Sequence, residues 1–255
     1  MIIKTEEEKE ILREAGKRLA RILSALRAKV APGISSEDLD SLAEELIRAG
    51  GDEPSFLGYT PEGASRPYPA SLCVSVNDEV VHGIPNESVR TLKEGDIVSL
   101  DLGLTHKGIV VDAAITVPVG QVSEDVQKLL NTTERALTAG IAAAIPGSHV
   151  GDISFAIQKE IEEGGCTVVK ELGGHGVGNV VHEEPYVANF GKKGEGELLE
   201  EGMVLALEPI ANVGKVAVKF MLDGYIFCIK DGSKSAHFEH TILIQKSGTL
   251  VVTRD

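Results

Sequence analysis

Apolar residues at helical spacing open the chain. Ile11, Ala15, Leu19, Ile22, Leu23, Leu26 and Val30 fall on one side of a helix over about residues 6–30, since positions three and four apart share a face. Thr5 and Glu8 are spaced as a capping box at its start, each side chain reaching an amide that the first turn leaves unpaired. Pro32-Gly33 ends this helix, Ser35 or Ser36 begins a second, and Leu39, Leu42, Leu46 and Ile47 give it one stripe before Gly50-Gly51. Residues 52–70 lose all periodicity. Pro54, Pro61, Pro67 and Pro69 alternate there with Phe56, Tyr59 and Tyr68, so the segment reads as a loop, either packed on the surface or placing aromatics in a pocket wall. Strands are predicted at Leu72–Val76, 96–104 and 109–117, helices at roughly 124–144 and 152–163, and strands again beyond them.

The pattern also repeats. Pro32-Gly33 with Asp38-Leu39 recurs as Pro146-Gly147 with Asp152-Ile153, and Val80-Val81-His82 followed by Pro85 recurs as Val180-Val181-His182 followed by Pro185. The run from Leu92 to Asp101 recurs from Leu199 to Glu208 in the form L-x-E-G-x-[IV]-x-x-L-[DE]. The matches keep their order but not a fixed spacing, so loops of different length separate equivalent elements. Two related α/β halves follow, with Asp101 and Glu208 in equivalent places and a site between them.

The hairpin around Asp101 brings in chemistry. A two-residue loop at His106-Lys107 sets Asp101 opposite Asp112, and one at Lys107-Gly108 makes them diagonal neighbours. Both registers put two carboxylates on one sheet face, where they repel unless a cation or a shared proton relieves them. Glu208, in Val204-Leu205-Ala206-Leu207-Glu208-Pro209-Ile210, and Glu239, at the head of an apolar strand, are also costly to bury alone. His175 stands among Gly173, Gly174, Gly176 and Gly178, which allow close approach of backbone or ligand. Four carboxylates and one imidazole suit Mn, Fe(II), Co or Zn in pairs better than a structural zinc site.

Composition narrows the setting. A 255-residue chain with 42% hydrophobic residues can bury a substantial core. No segment approaches the run of about 18 apolar residues that spans a membrane, and the start is charged, so a cytoplasmic protein without a membrane partner is expected. Cys73, Cys166 and Cys228 form no CxxC pair, which argues against a disulfide framework and a thiolate zinc site. A net charge of -14 disfavours nucleic acid as a partner, and the lack of a heptad or long apolar surface stripe favours a monomer.

Taken together, Val81-His82-Gly83-Ile84-Pro85, Asp101-Leu102-Gly103, Gly174-His175-Gly176-Val177-Gly178, His182-Glu183-Glu184-Pro185, Leu207-Glu208-Pro209 and Phe238-Glu239-His240-Thr241 resemble the motifs of type I methionine aminopeptidases over nearly the whole chain. The resemblance implies a pseudo-two-fold α/β "pita-bread" fold with a central antiparallel sheet and helices outside. It also implies one catalytic domain over residues 1–255, with halves of roughly 1–120 and 121–255. The implied cofactor is two divalent metal ions held by Asp101, Asp112, His175, Glu208 and Glu239. Asp112 would bind through both oxygens or bridge with Asp101, Glu239 would bridge, and His175 and Glu208 would complete one shell. Glu208 would carry the proton, His82 would meet the scissile amide nitrogen or its developing amine, and His182 the carbonyl oxygen or the tetrahedral oxyanion. Phe56, Tyr59, Tyr68, Cys73, Val181 and Tyr225 would line a methionine pocket, although relatives carry Cys, Phe and Trp where this chain has Phe56, Val181 and Tyr225 and have a shorter loop at 60–67. The implied reaction is removal of methionine from the N-termini of nascent polypeptides, including those at the ribosome. Two alternatives are another peptidase of this fold, acting beside proline or on dipeptides, and a catalytically silent binding protein.

Overall fold

The structure is a computed structural model, described over residues 1–254. Helix α1 (Glu6–Lys29) starts at the expected capping box, in which Thr5 Oγ1 accepts from the Glu8 amide at 3.1 Å and Glu8 Oε2 accepts from the Thr5 amide at 3.0 Å. Its buried face is Leu12, Ala15, Leu19, Ile22, Leu23 and Leu26. Leu12 rather than Ile11 leads that face, and Val30 lies beyond the helix as its C-cap. Gly16 permits close contact, since a Cβ there would lie 2.2 Å from the Val252 carbonyl oxygen. Helix α2 (Ser36–Ala49) takes Ser35 as its N-cap, and Leu39, Ala43 and Ile47 go inward.

The remainder of the first half comprises β1 (Glu53–Pro54), β2 (Leu72–Val76), β3 (Glu79–Val81), β4 (Ile97–His106) and β5 (Ile109–Pro118). The stretch 52–70 is loop apart from β1, which pairs with Leu104 and Thr105. The second half continues with α3 (Glu124–Ala143), α4 (Val150–Glu163), β6 (Thr167–Val168), β7 (Gly173–Gly176), β8 (Glu183–Ala188), β9 (Val204–Leu207), β10 (Ile210–Asn212), β11 (Val218–Phe220), β12 (Phe227–Ile229), β13 (Ser235–His237), β14 (His240–Gln245) and β15 (Gly248–Val251). One sheet joins β1, β4 and β2 with β5 on β4, and a second runs β15-β14-β9-β7-β8. Two smaller sheets run β13-β10-β6 and β11-β12-β3, and all these pairings are antiparallel. Helices α1 and α2 cover the first sheet around one apolar core, whereas α3 and α4 share a second core with β9 and β14.

The repeat is visible as matched hydrogen bonds. The Gly33 amide donates to Leu92 O at 2.8 Å, and the Gly147 amide to Leu199 O at 2.9 Å. Likewise the Gly95 amide reaches Val119 O at 2.9 Å and the Gly202 amide reaches Ile244 O at 2.8 Å. Bridges Ser35–Thr91 and His149–Leu198 complete the correspondence. The halves are stitched where β5 meets residues 237–241. Glu239 donates its amide to Ala114 O at 2.8 Å, and Thr241 Oγ1 accepts from the Asp112 amide at 2.9 Å while donating to Asp112 O at 2.7 Å. Among the described residues, no helix is long and apolar enough to cross a membrane.

Candidate active site

The β4–β5 turn decides the register left open by the sequence. Lys107 (φ 48°) and Gly108 (φ 80°) form a two-residue loop, with both central residues left-handed as this hairpin type requires. His106 therefore faces Ile109, Asp101 faces Ala114, and Asp112 faces Gly103, so the two carboxylates are diagonal neighbours on one face. From the second half, β7 supplies His175, the end of β9 supplies Glu208, and Glu239 sits just before β14. These five side chains line one cavity of about 510 Å³ between the halves, within the range of small-molecule sites.

Their surroundings leave them short of partners. Asp101 Oδ1, Asp112 Oδ1 and Glu239 Oε1 are buried without a hydrogen bond, an expensive arrangement for carboxylates. Burial, then Asp112, pushes the Asp101 carboxyl up to about 8. Asp112 is raised by burial and Glu239, Glu239 by burial and Asp101, and Glu208 by burial, then by Glu239, Asp101 and Asp112. A divalent cation would answer this crowding, and the donors suit one: ligand atoms of Asp112, His175 and Glu239 lie within 4.8 Å of one another. His175 is oriented for the role. Its Nδ1 lies 2.9 Å from Gly176 O, so the proton sits there and the Nε2 lone pair faces Glu208 Oε1 at 3.7 Å. Burial holds this imidazole neutral, with its pKa down at about 3.

Two further histidines flank the cluster. Tyr59 Oη lies 2.9 Å from His182 Nδ1; with the tyrosine donating, the His182 proton rests on Nε2. His82, held in the left-handed region at φ 58°, is lowered to about 4 by burial, while a hydrogen bond to the Tyr225 backbone opposes that shift. It is thus neutral near pH 7, with one N–H and one lone pair on its ring.

The apolar wall contains Phe56, Tyr59, Tyr68, Cys73 and Tyr225. Phe56 comes close enough to β4 that a Cβ on Gly103 would meet its ring at 2.5 Å. Tyr68 donates to Gly83 O at 2.8 Å and stands edge-on to Tyr225, with ring centroids 5.1 Å apart. Arg66, from the loop at 60–67, makes two bonds to Glu87 at 2.5 and 2.7 Å, lies over the Tyr225 ring and bonds the Asp223 carbonyl. Val181 departs from expectation. It is buried in the first core, and Val81 lines the cavity instead. Glu171 and Tyr186, which no motif singled out, form part of the rim with Glu184.

The most informative residue missing from the sequence reading is His237. It is 2% exposed, neither ring nitrogen has a hydrogen bond, and Nε2 lies 3.6 Å from Glu208 Oε2 and 3.5 Å from Glu239 Oε2. Its signal was its place two residues before Glu239 in an extended segment, where alternation puts both on one face.

A pseudo-symmetric pair of α/β halves closing on buried carboxylates and an imidazole defines a metallopeptidase of the pita-bread class. Residues 10–246 match the model of metallopeptidase family M24. Methionine aminopeptidase 1 of Bacillus subtilis (strain 168) is 44% identical over 254 residues, covering 100% of this chain and 99% of the relative. The methionine aminopeptidase of Clostridium perfringens is 44% identical over 253 residues, covering 99% and 98%. The crystal structure of methionine aminopeptidase from Thermotoga maritima superposes with a TM-score of 0.94 at 40% identity, covering 100% of both chains. Prolidase from Pyrococcus furiosus shares the fold at TM-score 0.75 and 23% identity, covering 100% of this chain and 66% of the prolidase. The chain belongs to the methionine aminopeptidases of metallopeptidase family M24.

Proposed function

We propose that the protein removes N-terminal methionine from newly made polypeptides in the cytoplasm, with two divalent ions at the five-residue cluster. The carrying observation is the set of orphaned carboxylate oxygens from both halves, facing one apolar-walled cavity. Asp101, Asp112, His175, Glu208 and Glu239 would hold the metals. When bound, these supply a water of lowered pKa and polarise the scissile carbonyl. Mn, Fe(II), Co and Zn all suit the donor set.

The chain's own groups perform the rest. His182 presents Nε2–H to the carbonyl oxygen as negative charge develops there. His82 offers its free lone pair to the scissile amide N–H and so orients the bond. Glu208 accepts a proton from the attacking water and returns it to the departing amine. Among the described residues the cavity lining has no lysine or arginine, which favours a substrate ammonium. Phe56, Tyr59, Tyr68, Cys73 and Tyr225 enclose an unbranched apolar side chain.

Initial rates on Met-Ala-Ser, Xaa-Pro-Xaa and Xaa-Pro peptides, with Mn, Fe(II), Co or Zn added separately, test this reading. Cleavage confined to the methionyl peptide supports it. Preference for either proline series, or cleavage of no peptide by the metal-loaded protein, overturns it.

A further inference from the structure

His237 is buried more deeply than any surface role requires, yet both its ring nitrogens lack partners. A histidine kept only for packing would ordinarily satisfy at least one of them. Its backbone is fixed from both sides: the amide donates to Thr116 Oγ1 at 2.8 Å, and Thr116 Oγ1 donates to His237 O at 2.7 Å. On the other edge His237 is in register with Ile210, two residues past Glu208. The ring is thereby held at the seam between the halves, with Nε2 between the Glu208 and Glu239 carboxylates.

We propose that His237 is a positioning residue whose Nε2–H bridges Glu208 and Glu239 and sets the direction in which both present their remaining oxygens. A neutral imidazole has one N–H to give, and the nitrogen nearest two acceptors is where it is best used. The separations of 3.5 and 3.6 Å exceed a formed hydrogen bond, and closing either one takes a shift of about 0.5 Å. Holding both carboxylates from one donor couples a ligand just past β9 to a ligand just before β14. Partners that orient metal ligands in this way commonly change metal affinity or activity by about 10–100-fold when removed.

The inference rests on the dinuclear reading of the site, and its test separates the two. Wild type, His237→Leu, His237→Gln and His237→Asn are compared by calorimetric titration with Mn(II) and Co(II), by the visible spectrum of the Co(II)-loaded protein, and by Tm after chelation. His237→Leu is expected to weaken metal binding about 10–100-fold and alter the Co(II) spectrum, with the chelated Tm little changed because removal of the unpartnered buried Nδ1 offsets loss of the Nε2–H bridge. His237→Gln, which keeps an N–H at similar reach, should stay within about 3-fold of wild type, and the shorter His237→Asn should resemble His237→Leu. Should His237→Leu fail to fold, the Gln and Asn variants carry the test. Unchanged metal affinity and Co(II) spectrum in both His237→Leu and His237→Asn overturn the positioning role. Absence of stoichiometric metal in the wild type instead overturns the dinuclear reading.

Discussion

Tyr59 Oη lies 2.9 Å from His182 Nδ1, so a loop residue shares a hydrogen bond with a cavity imidazole and, with the tyrosine donating, sets its proton on Nε2. Tyr59→Phe removes that donor and leaves the ring free to take the other tautomer. We expect kcat for a methionyl tripeptide to fall about 10-fold, and His182→Ala to lower it by about 100-fold or more, as loss of an oxyanion donor does. Steady-state kinetics on both variants check this, and an unchanged kcat in Tyr59→Phe would refute the tautomer assignment.

Asp112→Asn tests the metal grip itself. One buried carboxylate becomes neutral with little change of shape, while the backbone bonds between Asp112 and Thr241 remain. Bound metal and activity should both be lost with the circular dichroism spectrum retained. Full activity in this variant would remove Asp112 from the ligand set.

The buried acids also make a signed pH prediction. Asp101 is pushed up to about 8, and its carboxylate neighbours are raised as well. A folded-state value above the unfolded one means the native chain binds more protons, so stability is lost as pH rises towards 8. His82 and His240 are lowered to about 4 and His175 to about 3, and their contribution is lost in the opposite direction, as pH falls below about 6.5. Between about pH 6.5 and 8 the carboxylates act alone. Chelated protein should therefore melt at lower temperature at pH 8 than at pH 6.5, and Mn(II) should abolish the difference. Calorimetry at both pH values decides it.

Gly103 allows the Phe56 ring to lie across β4, and a Cβ there would come within 2.5 Å of it. Gly103→Ala should cost about 1–3 kcal/mol of stability, as overpacking does, and raise KM for methionyl substrates by displacing the pocket wall. Denaturant unfolding combined with kinetics tests both parts. A variant with wild-type stability and KM would show that Phe56 moves freely.

Arg66 ties the loop at 60–67 to Glu87, the Asp223 carbonyl and Tyr225. Exposed pairs are weak, about 0–1 kcal/mol, so Arg66→Ala should barely move Tm. It should instead loosen the wall, raising KM about 3- to 10-fold with kcat held, as expected when binding shared by ground and transition states is lost. Comparing Met and norleucine peptides measures the loss of discrimination.

Much of this arrangement was legible beforehand because periodic burial leaves a periodic sequence. The long helices, the Asp101–Asp112 hairpin and the paired halves all followed from spacing. The hairpin register did not, because His106-Lys107-Gly108 permits either turn until Lys107 adopts positive φ. The short strands β10 to β13, at three residues each, are below the length at which alternation is readable. Val81 and Val181 occupy equivalent places in the repeat, yet only Val81 lines the cavity; the sequence similarity carries no record of that asymmetry. His237 escaped notice because its meaning lies in two carboxylates brought to it by folding.

The seam joining Ala114 to Glu239 and Asp112 to Thr241 divides the proposed ligand set between the halves: Asp101 and Asp112 on one side, His175, Glu208 and Glu239 on the other. Neither half alone offers the whole set. On that assignment a complete dinuclear set exists only once the halves have docked, so full metal occupancy would report on correct assembly.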